Sequence, residues 1–529
     1  MSILILFSAI VILSCLITNK FSDKLGMPSL VLFMFLGILF GSDGILKISF
    51  DNYDLTSQLC TIGLLFIIFY GGFCTKKPSN RVALQASLLS SIGTLLTAFF
   101  CIVFCYYGLK IPFAESFLIG AVISSTDAAS VFSILRSKRL NLKFNTAPLL
   151  EIESGSNDPF AYILTLLGIV LIQGNSFNHM LPLLFKQIIF GIVLGTFIAY
   201  GAILIFKKTR LLTEGTSTLF LVSIVLFSYA IPDLLQGNGF LSAYIAGIIL
   251  GNSEFKSKAN LIHFFDGITA LFQVLIFFLI GFLSFPHKIP EILIPAVLIM
   301  SFLTFIARPL AVTFLMKPFG AAWNQILFIS AAGLRGAASI VFAIIAVANN
   351  SSVVYDLFHI VFVVVLLSVT LQGSFLPYLA KKLNMFDRFS DVRKTFNDYH
   401  NEAAISLSKV NINETHPWNN HKIKEIFVGE NSLILSIIRN NKNIIPKGST
   451  VITENDEILI GTTVKNTDFE INLCETVIDK NHEWLDKKIS AINCPTDFLI
   501  VLIKRGEKHF VPNGNTKILL DDTVIYQEN

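Results

Sequence analysis

The sequence predicts a mostly α-helical membrane protein of about thirteen transmembrane helices, joined to a soluble α+β C-terminal region of two tandem subdomains. Three observations carry this prediction. The 529 residues are 53% hydrophobic and only 14% charged, with a mean hydropathy of +0.68. The apolar residues fall in runs long enough to cross a bilayer. Beyond about residue 380 the composition turns polar and a sequence repeat begins.

The spans read near 2–18, 28–42, 57–74, 83–108, 112–135, 149–172, 181–206, 216–232, 239–252, 267–285, 290–316, 325–348 and 354–380. The first, MSILILFSAIVILSCLI, has no basic residue before its apolar run, so it reads as a span rather than a cleaved signal. The loops test the count. Taken alternately, one set carries Lys20 and Lys24; Lys76, Lys77 and Arg81; Arg136, Lys138, Arg139 and Lys143; Lys207, Lys208 and Arg210; Lys256 and Lys258; Lys317; and Lys381 and Lys382. The other set carries only Lys47, Lys110, Lys186 and Lys288. Cytoplasmic loops are enriched in Lys and Arg. The asymmetry therefore predicts a multi-pass protein of the plasma (inner) membrane, with its N-terminus outside and its C-terminal region in the cytoplasm. The domain limits follow: a membrane domain over 1–380, a cytoplasmic linker over 381–400, and subdomains over 401–465 and 466–529.

The soluble region repeats itself. A stretch starting at His416 matches one starting at His482, and the same 66-residue offset links Trp418 to Trp484, Arg439 to Arg505, Pro446 to Pro512, Gly448 to Gly514 and Asp456 to Asp522. Matches at one ungapped offset mark two copies of one supersecondary unit. Each copy reads as short strands between Gly, Pro and Asn turns.

Ionisable groups at membrane depth are costly and point to function. Four stretches carry them: AVISSTDAAS around Asp127, EIESGSNDPF with Glu151, Glu153, Asn157 and Asp158, FLTFIARPLAV with Arg308, and SAAGLRGAASIV with Arg335. On a helix, Glu153 and Asn157 share one face, and so do Ser154 and Asp158. The latter pair offers a carboxylate and a hydroxyl oxygen to a hard monovalent cation. A carboxyl taken partly out of water holds its proton toward neutral pH, so one such group can trade a proton for a cation. Asn157 is neutral where a second acid could stand, which favours one-for-one, electroneutral exchange. Arg308 is the natural partner for Glu153, because an unpaired buried Arg is very costly. SSTDAAS and SAAGLRGAAS both interrupt apolar spans, one early and one late. Interrupted helices in corresponding positions of two halves mark a transporter site at mid-membrane. There Asp127 can neutralise half-helix N-termini and Arg335 C-termini, and Thr126 can reach the ion.

SSTDAASVFSILRSKRLNLK followed by LLEIESGSNDPFAYILT, together with GLRGA, resembles the cation/proton antiporter-1 family, in its NhaP-like potassium/proton antiporter branch. The resemblance covers about residues 1–380. It implies an NhaA-like antiporter fold with inverted repeats and crossed broken helices, a homodimer, and an elevator-like movement of a six-helix core. It implies Asp158 as the carboxylate that binds K+ or Na+ in exchange for H+, paired with Asn157. It further implies Thr126, Asp127 and Ser154 at the ion site, and Glu153 with Arg308 as a stabilising ion pair. Relatives often have an acid just before the Gly-Gly of the third span, whereas LLFIIFYGGF carries Tyr70 there. The C-terminal repeats resemble the C-terminal subdomain of RCK (TrkA-C) modules, which implies a regulatory small cytosolic nucleotide, with cyclic dinucleotides as the ligand class. No G-x-G-x-x-G follows residue 380, so NAD binding is not expected.

The expected function is K+/H+ antiport for potassium and pH homeostasis, with Na+/H+ antiport or a ligand-gated potassium channel as alternatives. No TVGYG-like filter supports the channel. A non-transporting cation sensor is a third reading. The sequence holds no nucleophile–base set and no Cys or His spacing of a resident metal, so neither an enzyme nor a cofactor is expected. The expected partners are membrane lipid, a second copy of the chain and the cytosolic nucleotide. A net charge of +4 gives no reason to expect nucleic acid.

Overall fold

The computed structural model describes residues 2–25, 28–75, 79–127, 130–131, 142–174, 177–208, 214–253, 258–349, 355–385, 405–413, 416–426, 432–439, 442–444, 446–463, 473–478, 482–491, 498–505, 508–510, 516–520 and 522–528. The chain divides into two compact units, Met1–Arg393 and Lys394–Asn529.

The first unit is helical: α1 (Ser2–Leu25), α2 (Ser29–Phe40), α3 (Tyr53–Cys74), α4 (Asn80–Gly108), α5 (Phe113–Val122), α6 (Thr146–Ile172), α7 (Phe177–Lys208), α8 (Glu214–Leu234), α9 (Gly239–Gly251), α10 (Lys258–Phe282), α11 (Pro286–Phe319), α12 (Trp323–Ala331), α13 (Ala337–Asn349) and α14 (Leu357–Lys382). Eight of these, α3, α4, α6, α7, α8, α10, α11 and α14, contain stretches long and apolar enough to cross a membrane. Shorter apolar helices lie within α1 and at α2, α5, α9 and α13. The expected span over 112–135 is described as far as Val131. Residues 132–135, the basic residues Lys76, Lys77, Arg136, Lys138, Arg139, Arg210 and Lys256, and linker positions 386–400 lie outside the described residues.

Small residues let the helices approach closely where lipid gives no hydrophobic drive for their association. A Cβ on Gly247 would sit 2.4 Å from the Phe69 carbonyl oxygen, which makes glycine obligatory where α9 crosses α3. Asn52, Asn238 and Asp356 cap α3, α9 and α14, each accepting a backbone N–H with its side-chain oxygen.

Two interruptions shape the site. α5 ends at Val122, and residues 125–127 are non-helical before helix resumes at Ser130. α12 ends at Ala331 and α13 starts at Ala337. The residue types explain the breaks. Ser124 turns its hydroxyl back on the Ala121 carbonyl at 2.6 Å, a bond that competes with the helix. Gly333 and Gly336 are poor helix formers. π turns at Leu303–Ala307, just before Arg308, and at Ser368–Gln372 place further side chains near the same region.

The second unit holds two four-stranded antiparallel sheets of one design. The first has order β1-β4-β2-β3, with β1 (Ile405–Asn411), β2 (Ser432–Arg439), β3 (Lys442–Ile444) and β4 (Glu457–Thr463). The second has order β5-β8-β6-β7, with β5 (Leu473–Val477), β6 (Phe498–Arg505), β7 (Lys508–Phe510) and β8 (Thr523–Glu528). The 66-residue offset extends to the irregularities: register shifts fall between Ile434 and Ser436 in one copy and between Ile500 and Leu502 in the other. Each sheet packs on its own aliphatic core, with Trp418 or Trp484 at its edge. Helix among the described residues here is limited to the 3-10 turns Ile423–Glu425 and Ile489–Ala491. Pro512 and Gly514 lie outside the described residues.

Candidate functional site

The two helix interruptions meet. The Asp127 N–H donates to the Leu334 carbonyl at 2.7 Å. A Cβ on Gly336 would fall 2.2 Å from Asp127 Oδ2, so glycine is what allows the crossing. The Asp127 carboxylate accepts from the Ser130 amide at 3.3 Å and from the Ser130 hydroxyl at 2.6 Å. It thereby sits at the N-terminal start of the resumed helix, where negative charge is favoured. Arg335 does the converse. Its Nη1 donates to the carbonyls of Ser124 and Ser125, both at 2.7 Å, at the C-terminal end of α5. The Arg335 amide in turn donates to Ser368 Oγ at 3.1 Å.

α6 runs past this crossing. Ser154 Oγ donates to the Thr126 carbonyl at 2.7 Å, and Asn157 Nδ2 donates to Thr126 Oγ1 at 2.5 Å. Asp158 accepts a hydrogen bond from the Ser125 hydroxyl. One turn earlier, Glu153 pairs with Arg308; both side chains are almost fully buried, at 1% and 2% exposure. Asn157 is fully buried, and its Oδ1 has no hydrogen-bond partner among the described residues. All eight residues singled out in the sequence, Thr126, Asp127, Glu153, Ser154, Asn157, Asp158, Arg308 and Arg335, thus belong to one connected region.

A cavity of about 360 Å3 opens on it. One wall carries Ser125, Thr126, Asp127, Glu151, Ser154, Gly155 and Asp158; the other includes Tyr70, Asp266, Thr269 and Gln273. Four carboxylates line it, and no Lys, Arg or His among the described residues does. Tyr70 donates its hydroxyl to Asp266 Oδ1 at 3.2 Å.

The description that matches the first unit is the sodium/hydrogen exchanger transmembrane family, over residues 9–382. The chain belongs to that family. The exchanger is followed by two TrkA-C domain matches, at 407–468 and 473–525. It is similar to the K(+)/H(+) antiporter NhaP of Alkalimonas amylolytica, with 30% identity over 86% of this chain and 80% of the relative. The K(+)/H(+) antiporter NhaP2 of Shewanella sp. (strain MR-4) matches at the same identity and coverage. The Na(+)/H(+) antiporter 1 of Methanocaldococcus jannaschii is 25% identical over 69% of this chain and 92% of its own. In fold, the exchanger matches the structure of the sodium proton antiporter MjNhaP1 from that organism at pH 8. The TM-score is 0.62 at 24% identity, covering 72% of this chain and 98% of that one.

Sequence reasoning missed several groups in the exchanger. Ser125 stood in the quoted SSTD stretch, but nothing in spacing aims its hydroxyl at Asp158. Asp266 follows HFF in α10 and lines the cavity from a helix with no other flagged residue. The Gly155 carbonyl was legible in principle. Pro159 has no N–H, so the helix withholds a donor from residue 155, beside Asp158 on the cavity wall.

The recurring C-terminal arginines have plain partners. Arg439 clamps Asp456 through two 2.7 Å bonds, and Arg505 clamps Asp522 through two more at 2.7 Å. Burial alone would raise both carboxyls. The paired guanidinium and the amides of Thr453 and Leu519 outweigh it and hold both below the usual Asp range.

Proposed function

We propose that the protein is an electroneutral K+/H+ antiporter of the plasma membrane, serving potassium and pH homeostasis, in which Asp158 holds either the cation or the proton. The observation that carries this reading is the place of Asp158. It stands on the wall of an acidic cavity, where two interrupted helices cross, and the hydrogen bond it accepts among the described residues is the one from Ser125. Oxygens of Ser154, Thr126 and the Gly155 carbonyl are the further ligands offered to a bare monovalent cation. Asp127 and Arg335 stay fixed as compensation for the helix ends, and Glu153 with Arg308 ties α6 to α11. Asn157 braces Thr126 without adding a titrating group, so one cation leaves for each proton that enters.

The shorter apolar helices, read as membrane spans beside the eight longer ones, supply the thirteen-helix architecture with inverted repeats and crossed broken helices. The basic-loop alternation supports an outside N-terminus and a cytoplasmic regulatory region. The domain limits 1–380, 381–400, 401–465 and 466–529, a homodimer, and a cyclic dinucleotide as the ligand of that region belong to the same proposal. The potassium assignment rests on the names of the 30%-identical relatives. The M. jannaschii relative favours Na+ as the second reading.

The test is cation-driven dissipation of an imposed pH gradient in proteoliposomes, with K+ against Na+, at several fixed membrane potentials. The reading expects K+-driven proton movement that is insensitive to potential and lost in Asp158→Asn. Flux that survives this variant, or that follows the potential, contradicts it.

A further inference from the structure

One short segment is clamped from two sides. It is residues 283–288, the connection from α10 and the first residues of α11. From one side, Asp43, just after α2, accepts from the His287 amide at 3.0 Å and lies 2.6 Å from His287 Nδ1. From the other side, the Phe285 amide donates to His359 Nε2 at 2.9 Å. Lys288 Nζ lies 3.7 Å from Asp356 Oδ2. His359 and Asp356 belong to the first turn of α14 and its cap.

His359 is fully buried, and both its ring nitrogens are in use. Nε2 accepts a backbone N–H, so it carries no proton. Nδ1 therefore holds the ring hydrogen and donates it to Asp356 Oδ2 at 2.7 Å. The neutral ring is the only form that fits. A second proton would set Nε2–H against the Phe285 N–H, two donors facing each other in a buried place. Histidine is the side chain that changes charge between about pH 5 and 8. The charged and titratable groups around it are Asp356 on its own element, His287 and Lys288 on the clamped segment, Asp43 after α2, and Tyr53 at the start of α3. Glu115 of α5 accepts the neighbouring Tyr355 amide at 3.1 Å.

The clamp reaches the ion site mechanically. α10 packs tightly on α2, where a Cβ on Gly281 would meet the Met34 carbonyl oxygen at 2.0 Å. α14 carries Ser368, which holds the Arg335 amide. The His359–Phe285 bond therefore ties the α2–α10 pair to the helix that supports the crossing. Lys47, Lys110 and Lys288 lie on the sparsely basic loops, which the proposed orientation puts outside.

We propose that His359 is a proton-sensitive latch on the outer face. Its neutral ring holds the α10–α11 connection against α14, and protonation from outside releases it. Its outer placement and its consequence for transport rest on the reading above; the latch itself does not. External acid would then favour opening to the side from which protons are taken up.

The test is hydrogen–deuterium exchange of the full-length protein in nanodiscs, followed on peptides covering 283–288 at about pH 8 and about pH 5, corrected for intrinsic amide chemistry. Wild type is expected to lose about 10-fold or more of its protection at the lower pH. His359→Gln is expected to keep it, because its amide oxygen still accepts the Phe285 N–H and has no proton to gain. Equal protection of wild type at both pH values, or the same loss in His359→Gln, overturns the latch. If His359→Gln does not fold, Asp356→Asn decides: removing the carboxylate that faces the ring must move the wild-type step to lower pH, and an unmoved step overturns the latch. Repeating the measurement in Asp158→Asn separates the two proposals, since the step must persist there even though exchange is lost.

Discussion

The membrane unit and the C-terminal repeats both place aspartates near arginines, and they treat them in opposite ways. In each repeat a fully buried Asp receives both arms of one guanidinium and a backbone amide, and the arrangement occurs twice at the same offset. Both oxygens of each carboxylate are engaged. In the membrane unit, Arg335 spends its bonds on the carbonyls at a helix end, and Asp127 on the start of the resumed helix. Among the described residues Asp158 is left with one neighbouring hydroxyl and a cavity. A saturated buried acid is architecture. One left under-coordinated on a cavity wall is free to exchange partners.

The sharpest way to break this contrast is to substitute the under-coordinated acid. Asp158→Asn is expected to lower K+-driven proton flux by about 100-fold or more while leaving the thermal unfolding of the protein in place. Retained flux would move the exchange site elsewhere.

Next comes the buried pair that behaves architecturally inside the membrane. Arg308→Ala strands Glu153 without its partner and is expected to cost about 3–5 kcal/mol. The readout is loss of folded protein and a lower unfolding temperature. The double variant Glu153→Gln/Arg308→Met should recover much of that loss, because no charge then remains buried and unpaired. A double variant as unstable as the single one would show that the pair does more than neutralise itself.

Gly336→Ala tests the crossing. Its methyl group has no room beside Asp127, so the two interruptions must part. Exchange is expected to fall by about 10- to 100-fold, with folding largely kept. Normal flux would mean that the crossing tolerates displacement.

The smallest effect belongs to the repeats. Asp456→Ala leaves Arg439 able to turn toward water, so the expected cost is about 1–3 kcal/mol, confined to the C-terminal unit, with core transport intact. The pH dependence has a definite sign. The folded Asp456 and Asp522 are held below the ordinary Asp value, so their stabilisation is present above about pH 4 and is lost as pH falls through the lowered folded values. Proteolysis of the C-terminal unit across that range reads it out, and Asp456→Ala should flatten the first repeat's share.

Much of this was legible in the sequence because membranes impose simple rules. The eight long apolar helices follow from apolar length, and the glutamate–arginine pair follows from the cost of a lone buried charge. The repeat follows from one ungapped offset, which the paired register shifts then reproduce in the backbone. What was illegible depends on non-local packing. That Ser125 reaches Asp158, that Gly336 lies against Asp127, and that Tyr70 meets Asp266 each require two elements far apart in sequence to be placed together. The roles of Arg439 and Arg505 were open for the same reason. Their aspartates are repeat markers in the sequence, but only the sheet brings each pair into contact. His359 sits in an apolar run, where its neighbour in space, Phe285, is distant in sequence.

The central claim is that one carboxylate holds either a proton or a cation, and proton release on cation binding tests it most directly. K+ titrated into the purified protein near neutral pH, by calorimetry in two buffers of different ionisation enthalpy, gives the number of protons released per cation. The account predicts about one in wild type and none in Asp158→Asn. A wild-type binding heat that does not depend on the buffer would contradict it.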